Sequence, residues 1–239
     1  MEYTFMRKEK KYLVTREQVS FLQKQLTQQM VIDRCEEYLV QNIYFDTPGW
    51  DIIRESIEKP FYKEKLRLRF YDQYNPESKG FLELKKKYDG IVYKRRMAFT
   101  LGRLQSGSIR EIVSADDSQI SNEIGFFLQN NAVSEKIHVS YRRTAYNKTG
   151  NGDFRVTFDR DISFQIINQR HNFSSDYGRQ ILSPNQMIME IKTSGAIPLW
   201  FSHTLSELKI FPVSFSKVGT CYRLHMNKYQ NCLEEKNAA

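Results

Sequence analysis

The chain has no long apolar run, and that absence removes a broad class of readings. No window approaches the roughly 18 to 20 uninterrupted apolar residues that cross a bilayer, and the opening MEYTFMRKEKKYLV lacks the apolar core of a secretory signal. The expectation is a cytoplasmic protein without a membrane segment. Cysteine is scarce: Cys35, Cys221 and Cys232 are odd in number, far apart and form no CxxC pair. That argues against a disulfide framework or a zinc ribbon and fits reduced thiols. The standard phosphate loops are missing too, with neither GxxxxGK nor GxGxxG in the chain. His138, His171, His203 and His225 show no HExxH spacing, and there is no GxSxG elbow, so zinc hydrolysis and serine acyl transfer have no support. With no internal repeat and no low-complexity linker, residues 1–239 read as a single domain.

What the chain does have is aromatic residues and an excess of cations. Hydrophobic residues make up 40%, including 16 Phe and 14 Tyr, enough to fill a sizeable core. Lys and Arg number 36 against 28 Asp and Glu, a net charge of +8 that favours an anionic partner without choosing among nucleic acid, acidic lipid and phosphorylated small molecules.

Periodicity shows where part of that charge goes. Tyr3 to Val14 alternates as a strand, and Thr15 followed by Gln18 resembles a capping box opening a helix with Val19, Leu22 and Leu26 on one face. A strand at Leu39 to Phe45 ends in the turn Asp46-Thr47-Pro48-Gly49. FYKEKLRLRFY, Phe61 to Tyr71, alternates strictly, with Lys63, Lys65, Arg67 and Arg69 on one side and Tyr62, Leu66, Leu68 and Phe70 on the other. Phe81 to Tyr88 puts Glu83, Lys85 and Lys87 on one side, and Asp89-Gly90 signals a hairpin into IVYKRRMAF, so the region reads as an antiparallel meander.

Ser114 to Asn130 reads as a helix with Ile120, Ile124, Phe127 and Leu128 buried and Asp116 and Asp117 in its first turn. Strands follow at His138 to Tyr146, Phe154 to Asp159 and Met187 to Lys192, with a turn at Gly150-Asn151-Gly152 and a loop or hairpin over Asn168 to Pro184. Helices are expected at Pro198 to Lys209 and in SFSKVGTCYRLHMNKY, with a frayed tail from Glu234. Short hairpins and charged alternate positions suggest an α+β fold built on a barrel or curved antiparallel sheet, because closure removes edges.

Charged residues recur inside these strands at two-residue spacing: Arg7-x-Glu9-x-Lys11, Arg67-x-Arg69, Glu83-x-Lys85, Arg143, Arg155 and Glu190-x-Lys192. Most charged strand positions face solvent. Here the acid-x-base spacing recurs in three strands, and MIMEIK is too apolar for an ordinary solvated face. If the faces converge, carboxylates can hold a divalent metal while Lys and Arg grip phosphate oxygens.

The ordered segments IYFDTPGWDIIRESIEKPFYKEKLRLRFY, FLELKKKYDGIVYKRR, SYRRTAY, DFRVTFD, MEIK and FPVSFSKVG resemble the polyphosphate polymerase domain of the vacuolar transporter chaperone (VTC) family, a branch of the CYTH-like triphosphate tunnel metalloenzymes. The similarity runs from about Arg7 to about Tyr222. It implies a closed, eight-stranded antiparallel β-barrel with peripheral helices, and transfer of the γ-phosphoryl group of ATP to polyphosphate with Mn²⁺ or Mg²⁺. Carried over, the phosphate-binding set is Lys11, Arg67, Arg69, Lys85, Lys94, Tyr141, Arg143, Arg155, Lys192, Ser216 and Lys217, with Arg67, Arg69, Lys192 and Lys217 as the catalytic group. Glu190 is the principal metal ligand, with Glu9 and Glu83 as helpers. Because Lys94 adjoins Arg95 and Arg96, a one-residue shift along that strand stays open.

The superfamily often begins with ExExK, whereas this chain has Arg7 in the first position, which removes one metal ligand and adds a cation. The implied partners are ATP and polyphosphate, with a separate membrane protein if the product is exported. Nucleic acid is disfavoured, since the aromatics of FYKEKLRLRFY alternate away from its cations. A hydrolase of tripolyphosphate or nucleoside triphosphate, and a non-catalytic binder of polyphosphate or inositol phosphates, are the alternatives.

Overall fold

A computed structural model describes residues 8–33, 36–89, 91–148, 153–167 and 178–237. The sequence readings that rest on Arg7, Cys35, Gly90, His171 and the Gly150-Asn151-Gly152 turn lie outside these, as does most of the Asn168–Pro184 segment. The elements begin with β1 (Lys8–Thr15), α1 (Arg16–Gln29), β2 (Met30–Ile32), β3 (Tyr38–Asp46) and α2 (Asp51–Ile57). The meander β4 (Tyr62–Tyr71), β5 (Lys79–Tyr88) and β6 (Ile91–Thr100) follows, then α3 (Arg103–Ser106), α4 (Ile109–Ser114) and α5 (Gln119–Asn130). The remainder is β7 (Ser134–Lys148), β8 (Phe154–Ile166), β9 (Arg179–Gln180), β10 (Gln186–Thr193), α6 (Leu199–Glu207), β11 (Pro212–Val213) and α7 (Lys217–Asn237).

The strands form one 11-stranded sheet in the order β11-β1-β10-β8-β7-β3-β4-β5-β6, with β2 also on β7 and β9 also on β8. This corrects the expectation of a closed eight-stranded barrel. The fold is α+β and antiparallel, but the path ends at β11 and β6, which are not paired with each other among the described residues. Closure is not the only way to manage edges: β11 is two residues long and contains Pro212, and β6 carries Lys94, Arg95 and Arg96. No helix among the described residues is long and apolar enough to cross a membrane.

The chain divides into two compact units. The first comprises Met1–Val40, Tyr141–Ile162 and Leu182–Phe215. Its core is made by the face of β1, β8 and β10 carrying Tyr12, Val14, Val156, Phe158, Met189 and Ile191, covered by Val19, Leu22 and Leu26 of α1 and Phe201 and Leu205 of α6. The capping box forms as expected: the Thr15 hydroxyl accepts from Gln18 N, and the Gln18 side chain accepts from Thr15 N.

The second unit comprises Gln41–Ser140, Ser163–Ile181 and Ser216–Ala239. Leu66, Leu68 and Phe70 of β4 and Leu82 and Leu84 of β5 are fully buried beneath Ile112 of α4 and Ile124, Phe127 and Leu128 of α5. The helix expected over Ser114–Asn130 is α5, which starts only at Gln119, and the short helix α4 before it was not expected. α4 starts at its own capping box, Ser108 with Glu111, and α5 starts at Ser118, whose hydroxyl accepts from Ser121 N. Asp116 accepts from Ser118 N and so lies before α5, not in its first turn; the local side-chain bond outcompetes helix continuation. The last helix runs to Asn237, past the expected fraying point at Glu234.

α2 is a helix the periodicity does not reveal, and it depends on one side chain. Asp46 is fully buried, and its carboxylate accepts from Thr47 N at 2.8 Å, Ile52 N at 3.0 Å and Ile53 N at 2.9 Å. These bonds satisfy helix-start donors from outside the helix. Asp46→Ala is expected to destabilise the protein by about 2–3 kcal/mol, because it leaves buried backbone N–H groups unpaired; a denaturant midpoint within error of wild type would refute this.

Candidate functional site

Strict alternation in β4 and β5 has a structural consequence beyond the core. With Leu66, Leu68 and Phe70 buried, Lys63, Lys65, Arg67 and Arg69 must share the opposite face. The register then adds rows across the meander: Lys65 opposite Lys85 opposite Lys94, Arg67 opposite Glu83 opposite Arg96, and Lys63 opposite Lys87. Nine cations (Lys63, Lys65, Arg67, Arg69, Lys79, Lys85, Lys87, Lys94 and Arg96) of β4, β5 and β6 therefore share this face with one carboxylate of the same strands, Glu83. Like charges directly across strands are destabilising.

Glu83 is the common counter-ion. It is 1% exposed; Arg67 Nε donates to its Oε2 at 2.8 Å, Arg96 Nε donates to its Oε1 at 2.8 Å, and Lys94 Nζ lies 2.6 Å from Oε1. Burial alone would raise this carboxyl, but Arg67, Arg69 and Lys94 hold it well below the usual carboxylate range. β3 braces the arginines: Arg67 Nη1 donates to the Tyr44 hydroxyl at 3.1 Å, and Arg69, 8% exposed, donates from Nε to Asn42 Oδ1 at 2.8 Å. Desolvation lowers Lys94 to about 8; Glu83 opposes this, while Arg67 and Arg96 add to it. Lys63 is lowered by desolvation and by its neighbours Lys87 and Lys59.

The register also decides the open position in KRR. Lys94 and Arg96 both lie on the Glu83 face, while Arg95 lies on the other, with Nε 3.3 Å from Glu123 Oε1. Arg96 was missed by the sequence reading, although its two-residue spacing from Lys94 was the available signal. The alternation weakens at the end of the meander: Tyr62 pairs with Tyr88 on the core side, yet the two are 44% and 51% exposed.

A second charged face lies in the first unit. β1 and β10 place Glu9 opposite Lys192 and Lys11 opposite Glu190; β10 and β8 place Lys192 opposite Arg155 and Glu190 opposite Thr157. Lys192 Nζ lies 2.7 Å from Glu190 Oε1 and 4.0 Å from Glu9 Oε2, and Lys11 Nζ lies 3.4 Å from Glu9 Oε1 and donates to the Phe215 carbonyl at 3.1 Å. Arg143 grips Asp159 through Nε at 2.6 Å and Nη2 at 2.8 Å, and its guanidinium carbon sits 5.2 Å from the Tyr141 ring centroid. Although burial opposes it, Asp159, Tyr141 and Glu190 hold the Arg143 guanidinium strongly protonated. Arg155 Nη2 donates to Asp33 Oδ2 at 2.7 Å. Asp33 and Asp159 were not among the residues expected from sequence.

Ser216 and Lys217 belong to the second unit, at the start of α7, where the Ser216 hydroxyl accepts from Gly219 N at 3.3 Å. Among the described residues no three or more His, Cys, Asp or Glu gather as a metal nest. Glu9 and Glu190 do converge on one ammonium, the kind of one- or two-carboxylate set that suits Mg²⁺ or Mn²⁺ when phosphates complete the shell. Glu83, enclosed by cations, does not fit that role. Burial pushes the Cys221 thiol up to about 12, which suits an inert core thiol. Two surface hollows, of about 540 Å³ beside Phe126 and about 380 Å³ beside Phe21, contain none of these residues.

A family model described as the VTC domain matches residues 6–226. The chain belongs to the VTC family. In this VTC domain the FLELKKKY segment is β5, SYRRTAY lies within β7, DFRVTFD enters β8 and MEIK lies within β10.

No match is found among curated proteins. Solved structures similar to the VTC domain include a Hippeastrum protein provisionally assigned as an adenylyl cyclase and described as having a dominant triphosphatase activity. It is 17% identical, with a TM-score of 0.50, over 88% of this chain and 92% of that one. A Vibrio parahaemolyticus protein, also provisionally assigned as an adenylate cyclase, is 12% identical, with a TM-score of 0.49, over 92% of this chain and 99% of that one. The first likeness establishes a shared antiparallel α+β fold.

Two outcomes test the geometry of the meander face. Glu83→Gln is expected to lower stability by about 3 kcal/mol, since it leaves desolvated cations unpaired, and to tighten tripolyphosphate binding measured by calorimetry; weaker binding would contradict a counter-ion role. Because Lys94 loses its charge as pH rises through about 8, anion affinity should fall across that range, and Lys94→Arg should shift the decline to higher pH. A titration with the same alkaline limb in both proteins would rule Lys94 out as its source.

Proposed function

We propose that this VTC domain is a metal-dependent phosphotransferase, a polyphosphate polymerase that transfers the γ-phosphoryl group of ATP to a polyphosphate chain. The observation that carries the reading is the face of β4, β5 and β6, where nine cations gather around a single carboxylate of those strands. Such a face is destabilised by its own charge and is relieved by an anion carrying charge at regular intervals. A phosphate chain, with one negative charge or more per unit, matches a row such as Lys65, Lys85 and Lys94.

Phosphoryl transfer requires positioning and charge neutralisation more than acid–base chemistry. The terminal phosphate oxygen of the acceptor is already an anion at neutral pH. It attacks the γ-phosphorus as the bond to the bridging β–γ oxygen breaks and ADP leaves. Arg67 and Arg69, braced by Tyr44, Asn42 and Glu83, are suited to bidentate contacts with phosphate oxygens, with Lys85 and Lys94 as neighbouring point charges. In the other unit Lys192, Lys11, Arg143 and Arg155 line the face of Glu190 and Glu9, with Tyr141 under Arg143. Lys217 and Ser216 add an ammonium and a hydroxyl at the start of α7. Mg²⁺ or Mn²⁺ held by Glu190 and Glu9 would supply Lewis-acid neutralisation of phosphate oxygens. Glu83 serves in this reading as counter-ion, not as ligand.

The test is incubation of the purified protein with ATP and Mn²⁺. Long polyphosphate resolved on a gel, abolished by chelator and reduced about a hundredfold or more by Glu190→Gln, is the expected result. Release of free phosphate without chain growth would reassign the protein as a hydrolase. Tight tripolyphosphate binding with no turnover, unaffected by Glu190→Gln, would make it a binding domain.

A further inference from the structure

Among the described residues of the first unit, two buried side-chain polar atoms have no hydrogen-bond partner. Thr157 is 3% exposed, and its Oγ1 is buried with no hydrogen-bond partner; the Nε of Arg155, two residues earlier on β8, is likewise buried and unpartnered. Such orphans are rare in folded proteins, because a buried hydroxyl without a partner costs stability. Both belong to the charged face: Thr157 lies directly across from Glu190, and Arg155 across from Lys192.

Neighbouring groups do not relieve them. The Glu190 carboxylate is drawn to Lys192 at 2.7 Å, and Asp159, the next residue of β8 on the same face, is occupied by both arms of Arg143. The Asp33 carboxylate takes Arg155 through Nη2 and leaves Nε without an acceptor. An Arg Nε–H only donates, so a ligand that satisfies both atoms must present acceptor oxygens. Arg155 and Thr157 are two residues apart on one strand face, about 6.6 Å between Cα positions, near enough for oxygens of one phosphoryl group, or of two linked ones, to serve both side chains. A cation is excluded at the Arg155 end, and a neutral apolar group satisfies neither atom.

We propose that Thr157 Oγ1 and Arg155 Nε form an anion-binding subsite in which the threonine hydroxyl donates to a phosphate oxygen, making Thr157 a positioning residue for the phosphate chain beside Glu190. This rests on the proposed phosphoryl-transfer reading and adds to it a residue that its motifs do not single out. The subsite makes a distinctive demand. A residue kept for structure loses stability when its polar atom is removed, whereas Thr157, with its hydroxyl unpaired in the free protein, should not.

The experiment pairs two variants of the full chain, Thr157→Val, which keeps the shape and deletes the hydroxyl, and Thr157→Ser, which keeps the hydroxyl. Thermal unfolding without ligand and tripolyphosphate binding by calorimetry at fixed ionic strength are measured for each. The expected result is that Thr157→Val melts at or above the wild-type temperature and binds about tenfold more weakly, while Thr157→Ser binds within about twofold of wild type. Wild-type affinity in Thr157→Val overturns the subsite and leaves the proposed function standing. Destabilisation of Thr157→Val with a matching loss in Thr157→Ser also overturns it, by assigning the residue to structure. No tripolyphosphate binding by the wild-type protein overturns the phosphoryl-transfer reading itself, and the subsite with it.

Discussion

Repulsion among cations held on one sheet face is the constraint on which the second unit turns. The period of a strand leaves no freedom: once Leu66, Leu68, Phe70, Leu82 and Leu84 are committed to the core, the intervening Lys and Arg side chains are forced together on the other side. The unit tolerates this by placing a single buried carboxylate among them and by bracing Arg67 and Arg69 on neutral groups, Tyr44 and Asn42, which absorb donors without cancelling charge. Full neutralisation would have given a more stable sheet with a weaker positive field. Partial neutralisation preserves both the fold and the field.

The first unit manages charge differently. Its acids and bases come in local pairs, Arg143 with Asp159, Arg155 with Asp33 and Lys192 with Glu190, so its face is closer to balance. What it leaves open is hydrogen-bonding capacity at Thr157 and Arg155. The two faces offer different chemistry, a concentration of cations around one carboxylate in the second unit and two carboxylates beside unused donors in the first.

Much of this was legible in the sequence because period-two patterning is a direct projection of geometry. FYKEKLRLRFY, FLELKKKY and MIMEIK were readable as two-faced strands from residue order alone, and the Thr15–Gln18 box marked α1 to the residue. Three features were not readable. Cross-strand register depends on pairing partners, so the inclusion of Arg96 and the exclusion of Arg95 from the charged face emerged only with β5 alongside. α2 is held by Asp46 from outside the helix, and a periodicity scan has no access to such a cap. The open edges of the sheet were missed for a related reason: alternation specifies that a strand has two faces, not whether its ladder closes.

The connection between β5 and β6 has a kinetic implication. Tyr88 pairs with Ile91, so only two residues separate the strands, and β4, β5 and β6 neighbour one another in chain order as well as in the sheet. Contacts so local in sequence close quickly relative to the long-range pairing of β1 with β10. The meander can therefore form before the more distant strands arrive, at a stage when its cations already lie side by side. In that interval Glu83, itself part of the meander, is the anion already within reach, so the side chain that tempers the finished face is also the one able to chaperone its assembly.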